Sequence, residues 1–459
     1  MSPSGMRRAL TESVSGLPRQ FWWLWTTTLI NRLGAFVATF LALYLTVERG
    51  YSASYAGLVG ALYGLGGVVS SLGAGVLADR LGRRPTLLIA QVSTSLSVAA
   101  LGFVEHPVAI AVLACAVGMA TNGSRPAVQA MMADIVAPQD RVRAFALNYW
   151  ALNMGFAVAS ASAGLIAQYS YRFLFVGEAV MVLACALLVF AKLPESRPEA
   201  EGKGTGTGTG TGAPGAGTGA GAGPAGGAGS AAVSMGTVVR DGRFMAVVGL
   251  NLALALLFQQ GYVALPVSMG LDGFSSTDFG LVIAANGLLI VVLQIPVTRL
   301  IEHRDPGRLL VVSALLTGYG FGLHAFAGSV AFYVLAVAVW TLGEIINSPT
   351  QMGLVVRLSP THGRGRYQGM YVMSWSVASL TAPLLGGLVI DRFGADTLWA
   401  ASAVIGTVTA VGYGLLLRRV PADEAPAPAP APRRGPAEAA AAATAGEGPT
   451  GGPAEGTRA

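Results

Sequence analysis

The 459-residue chain is 53% hydrophobic by side chain and only 11% Asp, Glu, Lys or Arg, less than half the roughly 25% charge of an ordinary soluble domain. A water-soluble enzyme of this size would expose far more charge, and the formal net charge of +6 is divided among short connections rather than gathered into a patch suited to nucleic acid. Its two cysteines, Cys115 and Cys185, both fall inside apolar runs, and its four histidines are scattered, so neither a disulfide framework nor zinc-ligand spacing is present.

A helix needs about 20 mostly apolar residues to cross a hydrocarbon core of about 30 Å. Runs of that kind recur in chain order at Phe21–Val47, Ser54–Ala78, Pro85–Val104, Pro107–Met132, Phe145–Gln168 and Phe173–Ala191, then at Phe244–Met269, Thr277–Leu300, Leu309–Ala327, Val330–Val355, Tyr367–Ile390 and Leu398–Leu417. The reading is an all-α integral membrane protein of about twelve transmembrane helices. A closed barrel would alternate apolar and polar residues at period two, which runs such as Val282–Leu293 do not. The first run continues without an Ala-x-Ala-like cleavage site, so no removed leader is expected.

Charge sets the expected orientation. With the N-terminus inside, Arg80, Arg83, Arg84, Arg141, Arg143, Arg299, Arg304, Arg308, Arg357, Arg364 and Arg366 fall on one side, while the other side has only Arg49, Arg172 and Arg392. This is a positive-inside pattern that puts both termini in the cytoplasm. A Gly/Thr/Ala/Pro stretch divides the chain, since such a composition cannot bury enough surface to offset its ordering entropy. The expected organisation is a cytoplasmic segment 1–20, a six-helix bundle 21–193, a flexible cytoplasmic linker 194–240, a second six-helix bundle 241–420 and a disordered tail 421–459. Arginine far outnumbers lysine and Ala and Gly abound, which points to a GC-rich bacterial genome and hence to the bacterial cytoplasmic membrane.

The two bundles look related. Pro126 to Pro138 is followed by Arg141-Val142-Arg143-Ala144-Phe145, and Pro349 to Pro360 by Arg364-Gly365-Arg366-Tyr367-Gln368, each at the junction of the fourth and fifth helix of its half. Parallel repeats of this kind mark a two-bundle transporter. Between the second and third helices stands Gly75-Val76-Leu77-Ala78-Asp79-Arg80-Leu81-Gly82-Arg83-Arg84-Pro85, which resembles the signature loop of the major facilitator superfamily, G-x-x-x-D-R-x-G-R-R, in its expected place.

That resemblance implies a membrane transporter of two pseudo-symmetric six-helix bundles working by alternating access, with a cavity lined mainly by the first and fourth helices of each half. The chain is most similar to the bacterial twelve-helix drug/proton antiporters. Their fifth-helix glycine run is degenerate here, with Gly155 and Gly164 separated by Ala and Ser, whereas Ala382-Pro383-Leu384-Leu385-Gly386-Gly387 in the eleventh helix is nearer the pattern. Within the signature loop, Gly75 and Gly82 permit close approach and a tight turn, and an ionised Asp79 near Arg80, Arg83 and Arg84 could latch one conformation against Arg141 or the helix entry at Arg364. The alternative is a basic loop that serves orientation alone.

Charge inside a span costs roughly 2.5 kcal/mol or more unless it faces a cavity or a partner, so Arg32, Arg125, Glu178 and Glu344 stand out. At 1.5 Å per residue, Arg32, Arg125 and Glu344 fall within roughly 6 Å of one layer, and Glu178 is expected at a different level. Glu344 is the first candidate for proton coupling and Glu178 the second, because an apolar surrounding disfavours a charged carboxylate and an approaching cation restores it. A permanent Glu344–Arg pair bracing the halves is the competing reading. Arg32 and Arg125 would anchor a carboxylate or phosphate on the substrate, or Arg125 would order neighbouring helices, as a structural arginine of the fourth helix does in the family. The superfamily's cation exporters carry an acid in the first helix where this chain has Asn31-Arg32, which argues against a purely cationic substrate.

Asn31, Tyr63, Asn148, Tyr149, Asn153, Gln259, Gln260, Tyr262, Asn286, Gln294, Asn347, Tyr371 and Trp375 are candidates to complete the pocket, or else join helices. No metal or organic cofactor is expected; the coupling ion would be the proton, and the partners a small-molecule substrate and the lipid bilayer. Each chain contains both halves of its cavity, so a monomer suffices. No Walker-type G-x-x-x-x-G-K-[ST] run occurs, which argues against an ATP-driven pump. The function expected is proton-coupled efflux of small amphipathic compounds; proton-coupled uptake of an acidic nutrient or peptide and a non-transporting receptor or scaffold are the alternatives.

Overall fold

The computed structural model describes residues 16–137, 140–193, 234–360 and 363–417, with the side chains of residues 71, 72, 74–76, 78, 79 and 142 outside that set. The sequence expectations for segment 1–15, for most of the linker and for the tail from 421 therefore fall outside the described residues. The last part of the expected linker is ordered: Ser234 caps the short helix α8, Met235–Arg240, by accepting from the Thr237 N–H.

Among the described residues the regular structure is helical. In the first half run α1 (Arg19–Leu33), α2 (Val37–Leu43, continued by a π-turn at Tyr44–Glu48), α3 (Ala53–Leu81), α4 (Arg83–Leu101), α5 (Pro107–Ile135), α6 (Arg141–Ala167) and α7 (Tyr171–Lys192). After α8 come α9 (Gly242–Gln259), α10 (Ala264–Leu271), α11 (Ser276–Ile301), α12 (Pro306–Gly322), α13 (Val330–Leu358), α14 (Arg364–Phe393) and α15 (Ala395–Leu417).

Eleven helical segments among the described residues are long and apolar enough to cross a membrane. The expected run that falls short is α4, a 19-residue helix that opens on Arg83-Arg84 and buries Thr86, Gln91, Thr94 and Ser95. Three of those polar groups have protein partners: Ser95 Oγ donates to the Ala179 carbonyl of α7 at 2.8 Å, and Thr86 Oγ1 and Thr94 Oγ1 return to their own turn of chain at Gly82 O and Ala90 O, while the Gln91 amide oxygen is buried without one. Packing against α5 and α7 accommodates a polarity that hydropathy alone reads as interruption.

The helix contacts repeat between halves. In the first, α3 packs on α5, α4 on α5 and α7, and α1 on α6; in the second, α11 packs on α13, α12 on α13 and α15, and α9 on α14. The halves meet where α3 lies along α14 and α6 along α11. The first span of each half is broken, Arg19–Glu48 between α1 and α2 and Gly242–Leu271 between α9 and α10. The lipid-facing surface is apolar, as on α7, where Val180, Leu183, Leu187 and Phe190 are exposed.

Candidate functional site

The site is built on the two broken helices. Breaking a helix leaves N–H groups without intrahelical partners, and at the first break the Glu178 carboxylate satisfies two: one oxygen accepts from Phe36 N at 2.8 Å and from Val37 N at 2.7 Å. Hydrogen bonds to an ionised acceptor contribute about 1.5–3 kcal/mol each, so the backbone goes far toward securing a buried glutamate. Gly34 lets the bend approach α7, since a Cβ there would lie 2.9 Å from that of Met181. At the second break Gln260 plays the bridging part, its amide donating to Ala382 O of α14 at 3.3 Å.

Between the breaks lies a cavity of about 500 Å³, within the range of small-molecule sites. Arg32 and Ala35 from the first break, Tyr63 and Gly67 of α3, Arg125 of α5, Glu178 of α7, Gln259 and Tyr262 of the second break and Trp375 of α14 line it. Arg32 lies with its guanidinium carbon 4.8 Å from the Phe156 ring centroid, and its Nε is buried without a hydrogen-bond partner. Arg125 is exposed. Trp375 stacks on Phe258 with ring centroids 6.0 Å apart, which fixes its indole as a rigid wall.

The two ends of the cavity differ. Near Ala53 the halves are in tight contact: Asp391 of α14 accepts from Ala53 N at 3.0 Å and Ser54 N at 2.6 Å, capping α3 across the interface. A Cβ on Gly64 would sit 2.5 Å from Ser379 O, and one on Gly164 would sit 2.7 Å from Ser276 O of α11. Thr277 Oγ1 donates to Gly164 O at 3.0 Å, and the Tyr171 and Ser276 hydroxyls are 2.6 Å apart. Toward the opposite end of the same helices, Gly73 of α3 and Gly365 and Gly369 of α14 face open space. Among the described residues the cross-half hydrogen bonds gather at the first of these ends.

The family model for the Major Facilitator Superfamily matches residues 24–371 and, in an overlapping second match, 262–446. The chain belongs to that superfamily. It is 24% identical over 379 residues to the uncharacterized MFS-type transporter YhjO of Bacillus subtilis (strain 168), covering 82% of this chain and 87% of that one. It is 25% identical over 368 residues to a Na(+), Li(+), K(+)/H(+) antiporter of Planococcus maritimus, covering 76% and 84%. The fold is similar to the crystal structure of the nucleoside transporter NupG, with a TM-score of 0.70 at 14% identity over 87% of this chain and 100% of that one. The protein is thus a multi-pass bacterial membrane protein and a secondary transporter of the alternating-access kind.

Among the sequence candidates, this superfamily member brings Arg32, Tyr63, Arg125, Glu178, Gln259 and Trp375 to one cavity. Glu178 lines the same cavity as Arg32, beside a first span that is bent rather than straight.

Glu344 lies apart from the lining, in a second polar cluster where Asn286 Nδ2 donates to it at 3.1 Å and to Thr341 Oγ1 at 3.0 Å. No ion pair reaches Glu344 among the described residues. Asn153 donates to its own helix at Tyr149 O, and Asn148 and Asn347 each keep a buried amide oxygen without a partner. Asn31 is half-buried on α1, and Tyr371 is buried against Phe244 and Tyr367.

Of the signature loop, Gly75 and Asp79 lie in the last turns of α3, with the Asp79 side chain outside the described residues. Gly82 turns the chain at φ +103°, a backbone only glycine adopts without strain. Arg83 pairs with Asp134 of α5 and donates to Ala130 O at 3.3 Å. Arg84 donates to Phe190 O, Arg141 Nε to Val136 O at 3.4 Å, and Arg80 and Arg364 are exposed at the ends of α3 and α14. Sequence reasoning missed Asp391, Thr121, Asn122 and Ser379. Asp391 stands beside Arg392 at a span end, where an acid looks merely interfacial, and the small polar residues lack a charge to single them out. Among the described residues no group of three or more His, Cys, Asp or Glu could hold a metal ion.

Proposed function

We propose that this transporter exports small amphipathic compounds bearing an acidic group, in exchange for protons. The observation that carries the reading is the commitment of Glu178 to two backbone N–H groups, which leaves Arg32 and Arg125 as the cavity charges facing a ligand. Guanidinium groups match a carboxylate or phosphate bidentately, while Tyr63, Tyr262 and Trp375 supply an aromatic wall for an apolar body.

In the proposed topology α4 is the twelfth span, two six-helix halves are joined by the linker 194–240, and both termini are cytoplasmic, following the arginine-rich connections. The end at which Gly73, Gly365 and Gly369 meet open space then faces the cytoplasm and the joined end, with Asp391, faces outward. The monomer is the working unit. Glu344 is the proposed proton carrier and Glu178 the second candidate. Asn31, Asn148, Asn153, Gln260, Asn286, Asn347 and Tyr371 support the cavity from the surrounding helices. Gly75, Asp79, Arg80, Gly82, Arg83, Arg84, Arg141 and Arg364 form the cytoplasmic latch, with Arg83 and Arg84 braced against α5 and α7.

The test is energised efflux of a panel of anionic, neutral and cationic dyes from cells producing wild type or Glu344→Gln, with and without a proton uncoupler. Wild type should lower anionic dye accumulation, and both the substitution and the uncoupler should abolish the effect. Unchanged accumulation with correctly inserted protein would defeat the export reading. Proton-driven uptake of an acidic nutrient uses the same two arginines in the reverse order, and would show as uncoupler-sensitive accumulation of an anionic substrate.

A further inference from the structure

We infer that the ligand of the central cavity is a planar aromatic acid with a single negative charge, its acid group held by the first half and its ring by the second. The charged residues lining the cavity are Arg32 of α1, Arg125 of α5 and Glu178 of α7. All three belong to the first half. Among the described residues the second half lends the lining no charged side chain, only neutral groups such as Gln259, Tyr262, Trp375 and Ser379. Such a ligand is one class of the acidic compounds proposed above, and its assignment rests on that reading.

Charge fixes the number of acid groups. Two guanidiniums and one carboxylate leave the lining with one net positive charge. Arg32 and Arg125 are close enough to act on each other, and among the described residues no ion pair joins Glu178 to either of them, since its bonds go to the Phe36 and Val37 N–H groups. An anion set between the guanidiniums relieves their repulsion and accepts from both. One negative charge neutralises the lining. A second, at the far end of the ligand, would meet no cation on the second half and would give up its water there without return.

The second half determines the shape of the body. Trp375 stacks on Phe258 with 12° between the ring planes; Phe258 is 8% exposed and is not among the lining residues, so the pair sets one ring in the core and the other at the cavity. Tyr262, also on the lining, is 41% exposed. Aromatic surfaces held in this way gain from a flat partner, through stacked or edge contacts that a puckered ring of the same size does not reproduce. The volume of about 500 Å³ has room for a compound of two fused rings. An aliphatic acid would use the arginines and leave Trp375 and Tyr262 without a matching surface, which is why an aromatic acid is the class named.

Isothermal titration of the purified full chain in detergent tests this with 2-naphthoate, its neutral amide, its saturated decahydro counterpart and naphthalene-2,6-dicarboxylate. Wild type should bind 2-naphthoate about tenfold or more tighter than the amide or the dicarboxylate, and about fivefold tighter than the saturated acid. Trp375→Leu should bring the flat and saturated acids to equal affinity while 2-naphthoate stays ahead of the amide, and Trp375→Phe should keep the flat acid ahead. Equal affinity for 2-naphthoate and its amide, or no binding of any probe, would defeat the acidic-ligand reading and this assignment with it. An acid preferred over its amide, but with the saturated acid or the dicarboxylate bound as tightly as 2-naphthoate, would overturn the planar monoanion alone. An unchanged ratio of flat to saturated acid in Trp375→Leu would overturn the place given to the ring. Binding in detergent has no direction, so these outcomes do not depend on whether the protein exports or imports.

Discussion

Replacing Asp391 by Asn should loosen the joined end of the cavity. The carboxylate spans the two halves, accepting from Ala53 N at 3.0 Å and Ser54 N at 2.6 Å, and it also opposes the positive end of a 29-residue helix. Hydrogen bonds to a charged group run to about 1.5–3 kcal/mol each in mutational series. Asp391 is exposed, so water rehydrates the freed N–H groups and the amide still accepts one bond, which leaves a net effect of about 1 kcal/mol. That corresponds to roughly a fivefold shift in the ratio of the two conformations. A single cysteine at Ala56, which is 1% exposed and lines the cavity beside this contact, reports it after Cys115 and Cys185 are replaced by serine. Labelling by a membrane-impermeant maleimide from the Asp391 side should quicken about fivefold in Asp391→Asn over the Asp391 background, following the same shift. Labelling that does not change would show that the cross-half cap does not hold this end closed.

Other substitutions separate the parts of the site. Gly164→Ala would put a Cβ 2.7 Å from Ser276 O and 3.0 Å from Thr277 Cα, so it should open α6 from α11 and raise labelling at the same cysteine; equal labelling would mean the contact relaxes without parting the halves. Glu178→Ala leaves the Phe36 and Val37 N–H groups unsatisfied beside the break, a loss of about 2–4 kcal/mol, and should lower the melting temperature clearly while Glu178→Gln lowers it less. Melting of the alanine variant at the wild-type temperature would remove the cap from the account. Arg32→Gln and Arg125→Gln should each weaken anionic dye transport about tenfold or more, as loss of a charged hydrogen bond does, while leaving neutral dyes within about twofold. A uniform loss across the dye panel would assign these arginines to the framework instead.

The spans were legible because apolar length is a local property: runs such as Phe173–Ala191 and Val330–Val355 need no knowledge of their neighbours. The α4 helix shows the limit of that signal. Its Thr86, Gln91, Thr94 and Ser95 lower the hydropathy of a helix that packing buries on that face. The breaks were not legible at all, since an average over Arg19–Glu48 or Gly242–Leu271 stays apolar on both sides of the bend. Missing the first break hid the contact of Glu178 with the Phe36 and Val37 N–H groups, a cap that its place in the sequence does not show. Glu344 was singled out by its charge, but its amide partner Asn286 sits on another helix, and only packing pairs them.

The distribution of hydrogen bonds limits what alternating access must break. At the first break Glu178 joins α7 to the start of α2, and at the second Gln260 joins the bend to α14; each bond lies within one half. A rocking motion of the halves leaves such bonds intact, so the cavity walls travel as rigid parts. The bonds from Asp391 to α3, from Thr277 to Gly164 and between Tyr171 and Ser276 all cross from one half to the other, at the joined end. They are few, and none is fully buried, so water can replace part of what is lost. The opposing step must offer contacts of similar worth where Gly73, Gly365 and Gly369 now face open space. Gly365 and Gly369 leave the α14 backbone bare in that region, as Gly64 leaves α3 bare where it meets Ser379.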